Sequence, residues 1–210
     1  MSQFTLTINF TDQGLNTLSS ASKKVAMMQA APNSNYQVVA LLAQPQQKMT
    51  ITWQDTTSVY TSSSNPIKPY TVLQINNTKH ATTGHSYVYD GVLITDEGQG
   101  LGGSVQLTNK ASSTITAGLA INFTVDTKIQ DPAILTADSL PYNGLGTFPI
   151  NCSFYLTTLS DDLSVGYVIP TGAIPNAYIV VQPALLIDFS INQTQAVRFD
   201  DSSNEFVLCS

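Results

Sequence analysis

Charge is scarce in this chain. Asp, Glu, Lys and Arg make up 10% of the 210 residues, against roughly 25% in ordinary soluble domains. Basic residues are scarcest. Lys and Arg total 8, the formal net charge is −6, and the sequence pI is about 4.5. The pair Lys23–Lys24 is the nearest thing to a basic cluster. Binding to nucleic acid rests on neutralising phosphates with Lys and Arg, so a nucleic-acid partner is excluded. The same lack argues against electrostatic docking on anionic membranes. Neutral lipids and glycans stay open.

Cysteine is also rare. Cys152 and Cys209 are the only two, and neither stands in a CxxC spacing, which removes zinc-ribbon and dithiol redox readings. Whether the two pair is left open. Long hydrophobic runs are missing as well. Stretches such as Val38–Ala43 fall far short of the ~20 apolar residues of a membrane helix. Met1-Ser2-Gln3 runs directly into an alternating segment with no signal-like apolar core. A soluble protein is expected, made in the cytoplasm without a signal peptide and released, if at all, by lysis or a signal-independent route. Five Asn-x-Ser/Thr sequons carry little weight in that setting.

What fills the gap is Ser, Thr, Asn and Gln, with 42% apolar and 9% aromatic residues. A disordered acidic chain would be highly charged and poor in aromatics, so a packed core is expected. The dominant periodicity is two. Phe4, Leu6, Ile8 and Phe10 alternate with polar residues, as do Met49, Ile51 and Trp53. Val72–Ile75 stops at Asn76-Asn77. Tyr87–Tyr89 ends at Asp90-Gly91, a hairpin signal, and Val92-Leu93-Ile94 restarts. Ser104–Thr108 and Ile115–Ala117 flank Asn109–Ser113, which reads as a second hairpin. Leu119–Val125 reads as one long strand. Short apolar runs at Cys152–Leu156, Val165–Ile169, Tyr178–Val181, Leu185–Phe189, Ala196–Phe199 and Phe206–Leu208 continue the theme between turn residues.

Many short strands at such spacing predict an all-β fold. An antiparallel β-sandwich of Greek-key or jelly-roll type is expected, with at most one or two short helices. One helix is expected from a Thr11-Asp12 cap through Lys23–Lys24, although Gly14 weakens it. Residues 1–210 are read as a single domain. Residues 31–37 are read as a loop. Gln130–Pro149, rich in Pro, Asn and Gly, is read as a long crossover loop.

Motifs for chemistry are weak. His80 and His85 lie on a polar stretch around Gly84, too few for a structural metal site. There is no Gly-x-Ser-x-Gly elbow. Gly98–Gly103 precedes a strand and not a helix, which rules out a phosphate loop. Asp200–Glu205 is oxygen-rich but lacks EF-hand spacing. No catalytic residue, metal or cofactor is assigned. Trp53 is expected in the core.

Loops on a rigid scaffold are where all-β domains carry recognition. The expected ligand face is formed by the Tyr60–Tyr70 loop, the His80–Tyr89 segment and the Gly98–Gly103 turn. Tyr60, Tyr70, His85 and Tyr87 would stack and hydrogen-bond there, with Asp90 and Asp96 accepting from sugar hydroxyls. The leading functional expectation is a non-enzymatic binding protein for a glycan or lipid head group, lectin-like or a membrane-active toxin. A self-assembling structural protein, or homo-oligomer, comes second. A β-barrel enzyme using His80 or His85 as base comes third.

Overall fold

The structure, a computed structural model, describes residues 2–29, 36–63, 67–170 and 184–209. The loop reading of 31–37, the centre of the Tyr60–Tyr70 loop and the Tyr178–Val181 strand fall wholly or partly outside these residues.

In chain order, β1 (Gln3–Asn9) leads into α1 (Asp12–Ser20), then β2 (Lys23–Gln29), β3 (Tyr36–Ala43), β4 (Lys48–Gln54) and β5 (Thr57–Ser62). β6 (Asn77–Ala81), β7 (His85–Tyr89), β8 (Ile94–Gln99) and β9 (Ser104–Asn109) follow. Next come β10 (Ile115–Ile121), β11 (Phe123–Val125), β12 (Lys128–Ile129), β13 (Ala133–Ile134), β14 (Asp138–Leu140) and β15 (Leu145–Pro149). β16 (Ser153–Ser160), β17 (Val168–Pro170), β18 (Leu185–Asp188), β19 (Thr194–Asp200) and β20 (Glu205–Leu208) complete the order.

The fold is an all-β sandwich with one short helix among the described residues. The strands build four open sheets. The first runs β12-β11-β4-β1-β19-β20 and the second β17-β3-β2-β16-β18. The third runs β13-β10-β5-β6, with β14 also on β10, and the fourth β15-β9-β7-β8. Pairing is antiparallel except for β1 with β19 and β7 with β9. Among the described residues none of the sheets closes into a barrel.

Period-two alternation places one face of each strand inward. In β1 and β4 the buried set is Phe4, Leu6 and Ile8 with Met49, Ile51 and Trp53. Trp53 is the hub. Its ring lies 4.8 Å from Phe189, 5.3 Å from Phe154, 5.5 Å from Phe4 and 5.6 Å from Phe123, centroid to centroid. Those partners come from the first and second sheets, so the cluster ties one sheet to the other. The same continuous core takes in Val59, Leu119, Tyr87, Val105, Leu107 and Phe148 from the third and fourth sheets.

Several expectations are corrected. The helix stops at Ser20, and Lys23-Lys24 open β2. Thr11 caps the helix as expected, its hydroxyl accepting from the Gly14 amide at 3.1 Å. Gly14 is needed for contact: a Cβ there would stand 2.7 Å from Asp201 Oδ1 and 2.9 Å from Phe199.

Val72–Ile75 forms only an isolated bridge from Val72 to Tyr167. The strand is the next segment, β6, which carries His80. Val92 and Leu93 sit in the turn, and β8 starts at Ile94.

Asn109–Ser113 does not close a hairpin, because β9 pairs with β7 and β15 while β10 pairs with β5. It carries the chain between sheets, pinned by the buried Asn109. The Asn109 amide nitrogen donates to the carbonyls of Ser113 and Leu140, and its oxygen accepts from the Ala111 amide. The Leu119–Val125 run breaks at Asn122, and β11 leaves β10's sheet to pair with β4.

Gln130–Pro149 is not a plain loop. It holds β13, β14 and β15, because Ile134, Leu135, Leu140 and Phe148 give it a buried side.

Candidate ligand-binding cleft

The six residues expected at one ligand face are not brought together. Tyr60 and Tyr87 are fully buried. Tyr60 packs with Val38, Ala120, Ile134 and Val168 and donates to the Thr136 carbonyl at 3.0 Å. Burial pushes its phenol well above the usual tyrosine range. The Tyr87 hydroxyl accepts from the Thr82 amide at 2.8 Å. Both tyrosines therefore bond the protein's own backbone and offer no face to a ligand, which corrects their assignment. Alternation places Tyr60 and Tyr87 on one side of a strand but does not say whether that side faces in or out. Tyr70 is half-exposed, with its amide bonded to the Val168 carbonyl of β17 at 2.8 Å.

His85 and Asp96 do meet. The Nδ1 of His85 lies 3.1 Å from both carboxylate oxygens of Asp96 across the β7–β8 pair. Asp96 also accepts from the Gly98 amide at 2.8 Å. That amide first, and the His85 ring after it, hold the Asp96 carboxyl below the usual carboxylate range. A histidine oriented by a carboxylate is two-thirds of a hydrolytic arrangement. Among the described residues no hydroxyl or thiol bonds the His85 ring. Cys152 is no ready nucleophile either, since burial, then Asp188 and Asp55, push its thiol up. Both cysteines are free thiols.

The glycine-rich turn packs beside His85. The Gly100 amide donates to the Gly84 carbonyl and the Gly84 amide to the Ser104 carbonyl, both at 2.7 Å. Asp90 lies at the opposite end of β7, so the ligand-face expectation divides between two ends of the fourth sheet.

At the Asp90 end there is a cleft of about 490 Å³. It lies where the end of β5, the start of β6, the β7–β8 turn and the Ala111–Thr114 crossover converge. Its polar wall is Thr61, Ser62, Ser63, Asn76 and Asn77 on one side and Ser112, Ser113 and Thr114 on the other. Tyr89, Val92, Ala111 and Ile115 supply apolar surface. Among the described residues Asp90 is the one charged residue of the lining, and no Lys, Arg or His is part of it.

Local hydrogen bonds fix these groups. Asn76 Oδ1 accepts from the Ser63 amide at 2.8 Å. Asn77 Nδ2 reaches Thr61 Oγ1 at 3.3 Å and Tyr89 Oη at 3.4 Å, and Tyr89 donates to the Gly91 carbonyl at 2.9 Å. Asp90 Oδ1 accepts from the amides of Leu93 and Val92, at 2.8 and 2.7 Å, and these two bonds hold its carboxyl below the usual range. Among the described residues no hydrogen bond uses Asp90 Oδ2. Of the expected residues, only Asp90 lines this cleft. Asp96 lines a separate groove of about 500 Å³ between β6 and β8, with Lys79.

Sequence reasoning missed Asn76, Asn77 and Ser112–Thr114, and reached Tyr89 only as the end of the His80–Tyr89 segment. The available signal was the hydroxyl- and amide-rich composition of their turns. What it could not supply was the crossover that carries Ser112–Thr114 over to Asn76.

At the acidic turn, Asp200 Oδ1 accepts from the Ser202 amide and hydroxyl, and Asp201 Oδ2 accepts from the Thr11 hydroxyl. No group of three or more His, Cys, Asp or Glu side chains is placed to hold a metal ion among the described residues. No helix of the described residues is long and apolar enough to cross a membrane.

In comparisons with known proteins, no family model, no curated protein and no solved structure matches this chain.

Proposed function

We propose that this chain is a non-enzymatic binding protein that takes a neutral glycan in the cleft beside Asp90. The lining carries the reading. It is rich in hydroxyls and amides, has one carboxylate and no cation, and includes an aromatic ring and aliphatic wall. Sugar hydroxyls need many paired donors and acceptors plus apolar surface for the C–H faces of the ring. An anionic ligand would face Asp90 with nothing to neutralise it. We take the 210 residues to act as one unit, because the main core draws on all four sheets.

Self-assembly through sheet edges has less support. The edge strands β6 and β8 carry Lys79, Asp96 and Glu97, and charges on edges oppose strand addition.

The test is a screen of neutral oligosaccharides followed by calorimetry. A hit is expected to bind the parent and to weaken about tenfold in Asn77→Ala, the cost of one or two lost hydrogen bonds. Binding unchanged in Asn77→Ala and in Asp90→Asn, with both variants folded, would remove the cleft from consideration.

A further inference from the structure

We infer that the glycan is carried on a lipid, and that the turns beside the cleft enter the interfacial layer of an electrically neutral bilayer. This rests on the cleft reading for the glycan and on separate observations for the membrane.

Four large apolar side chains project at this end of the fourth sheet. Val92 is 70% exposed, Leu93 64%, Tyr142 59% and Leu145 55%. Strand direction puts them at one end: β7 and β9 finish there, and β8 and β15 begin there. A row of backbone hydrogen bonds joins the two turns. The Asn143 amide donates to the Asn109 carbonyl, Lys110 to Tyr89, and Asp90 to Leu93, at 2.7, 2.7 and 3.2 Å. Val92 also lines the cleft, so the apolar tip and the polar site are continuous.

The occupant follows from size, shape and charge. Four partly exposed side chains on projecting turns fall short of the ~800 Å² per partner of a stable protein interface. A bilayer surface can immerse all four, and a tyrosine suits the water–lipid boundary. The bilayer must be neutral. The chain carries net charge −6; of the two lysines near this end, Lys110 is engaged with Asn143 Oδ1 at 2.8 Å, and Lys79 shares the β6–β8 groove with Asp96. Anionic head groups would repel such a surface.

The experiment uses the full chain with phosphatidylcholine vesicles, phosphatidylcholine vesicles carrying mixed neutral glycosphingolipids, and vesicles containing phosphatidylserine. Flotation is expected on the glycolipid vesicles and to be weakest on the phosphatidylserine vesicles. Leu93→Ser is expected to lose about tenfold in vesicle binding, the loss that one buried leucine side chain represents. The same variant should keep its affinity for the free oligosaccharide. A Leu93→Trp variant reports insertion directly, by a blue-shifted emission quenched by brominated acyl chains. Vesicle binding equal in parent and Leu93→Ser, or an unshifted Leu93→Trp, would overturn the membrane inference and leave the cleft reading standing. Insertion with no response to any neutral glycan would overturn the cleft reading and the lipid-borne glycan while retaining the tip.

Discussion

Gly118 sits where β10 passes under the Leu135–Thr136 backbone. A Cβ at this position would lie 1.9 Å from the Thr136 carbonyl oxygen and 2.6 Å from its carbon. That oxygen also accepts the Tyr60 hydroxyl. Backbone cannot swing aside as a flexible side chain does, so Gly118→Ala is expected to cost about 3 kcal/mol, the upper part of the overpacking range. Urea unfolding checks this; a loss under about 0.5 kcal/mol would mean that the segment moves freely.

The His85–Asp96 pair is partly exposed, and its effect is a matter of sign. Asp96 is held below the usual carboxylate range when folded. Its contribution to stability is therefore present above the unfolded carboxyl value, about 3.9. It is lost as pH falls through the lower folded value. Asp96→Asn should be less stable than the parent near neutrality, and the two should converge in acid. Denaturant titrations at several pH values would show a gap that widens toward acid if the sign were wrong. Single residues were the least legible scale. Trp53 is in the core as its alternation with Ile51 and Met49 suggests, but the same alternation gives no reason to prefer core over surface for Tyr60 and Tyr87.

At the scale of the element, α1 shows how local signals and long-range contacts combine. The Thr11 hydroxyl accepts from the Gly14 amide and donates to Asp201, 190 residues away, at 2.5 Å. The cap thus fastens the β19–β20 turn to the helix start. Thr11→Ala is expected to cost about 1 kcal/mol, and Thr11→Ser to restore most of it. Equal melting of parent and Thr11→Ala would show that the cap contributes nothing.

The cap and the strands β1 and β4 could be read directly, because alternation over seven residues leaves little ambiguity. Strands of two or three residues could not. β12, β13 and β14 are too short to display a period, and the Pro, Asn and Gly of Gln130–Pro149 obscured the latter two. β6 was missed for another reason: as an edge strand with Thr78, Lys79 and His80 exposed, it has no apolar alternation to detect.

At the scale of the whole molecule, fold class was legible from composition and period, but strand partners were not. Asn109–Ser113 has the residues of a hairpin turn and serves as a crossover between sheets. Only the buried Asn109 amide and the competing partners of β9 and β10 decide between the two. The cleft depends on that crossover, which is why its residues stayed hidden while the scaffold did not.

What joins the first two sheets is aromatic. Trp53 meets four phenylalanine rings within 5.6 Å, three of them edge-on, the geometry in which ring quadrupoles attract. These rings come from β1, β11, β16 and the residue after β18, so sequence distance between partners is large. Removing the indole leaves a cavity that spans two sheets, and a rigid framework of paired strands cannot collapse to fill it. Trp53→Ala is therefore expected to cost toward the upper end of ~3–5 kcal/mol. Trp53→Phe, which keeps a ring for Phe154 and Phe189 to meet, should cost clearly less. Equilibrium unfolding of both variants decides it. If Trp53→Ala lost no more than Trp53→Phe, the sheets would be joined elsewhere, and the smaller Phe10–Phe199–Phe206 cluster would be the next place to cut.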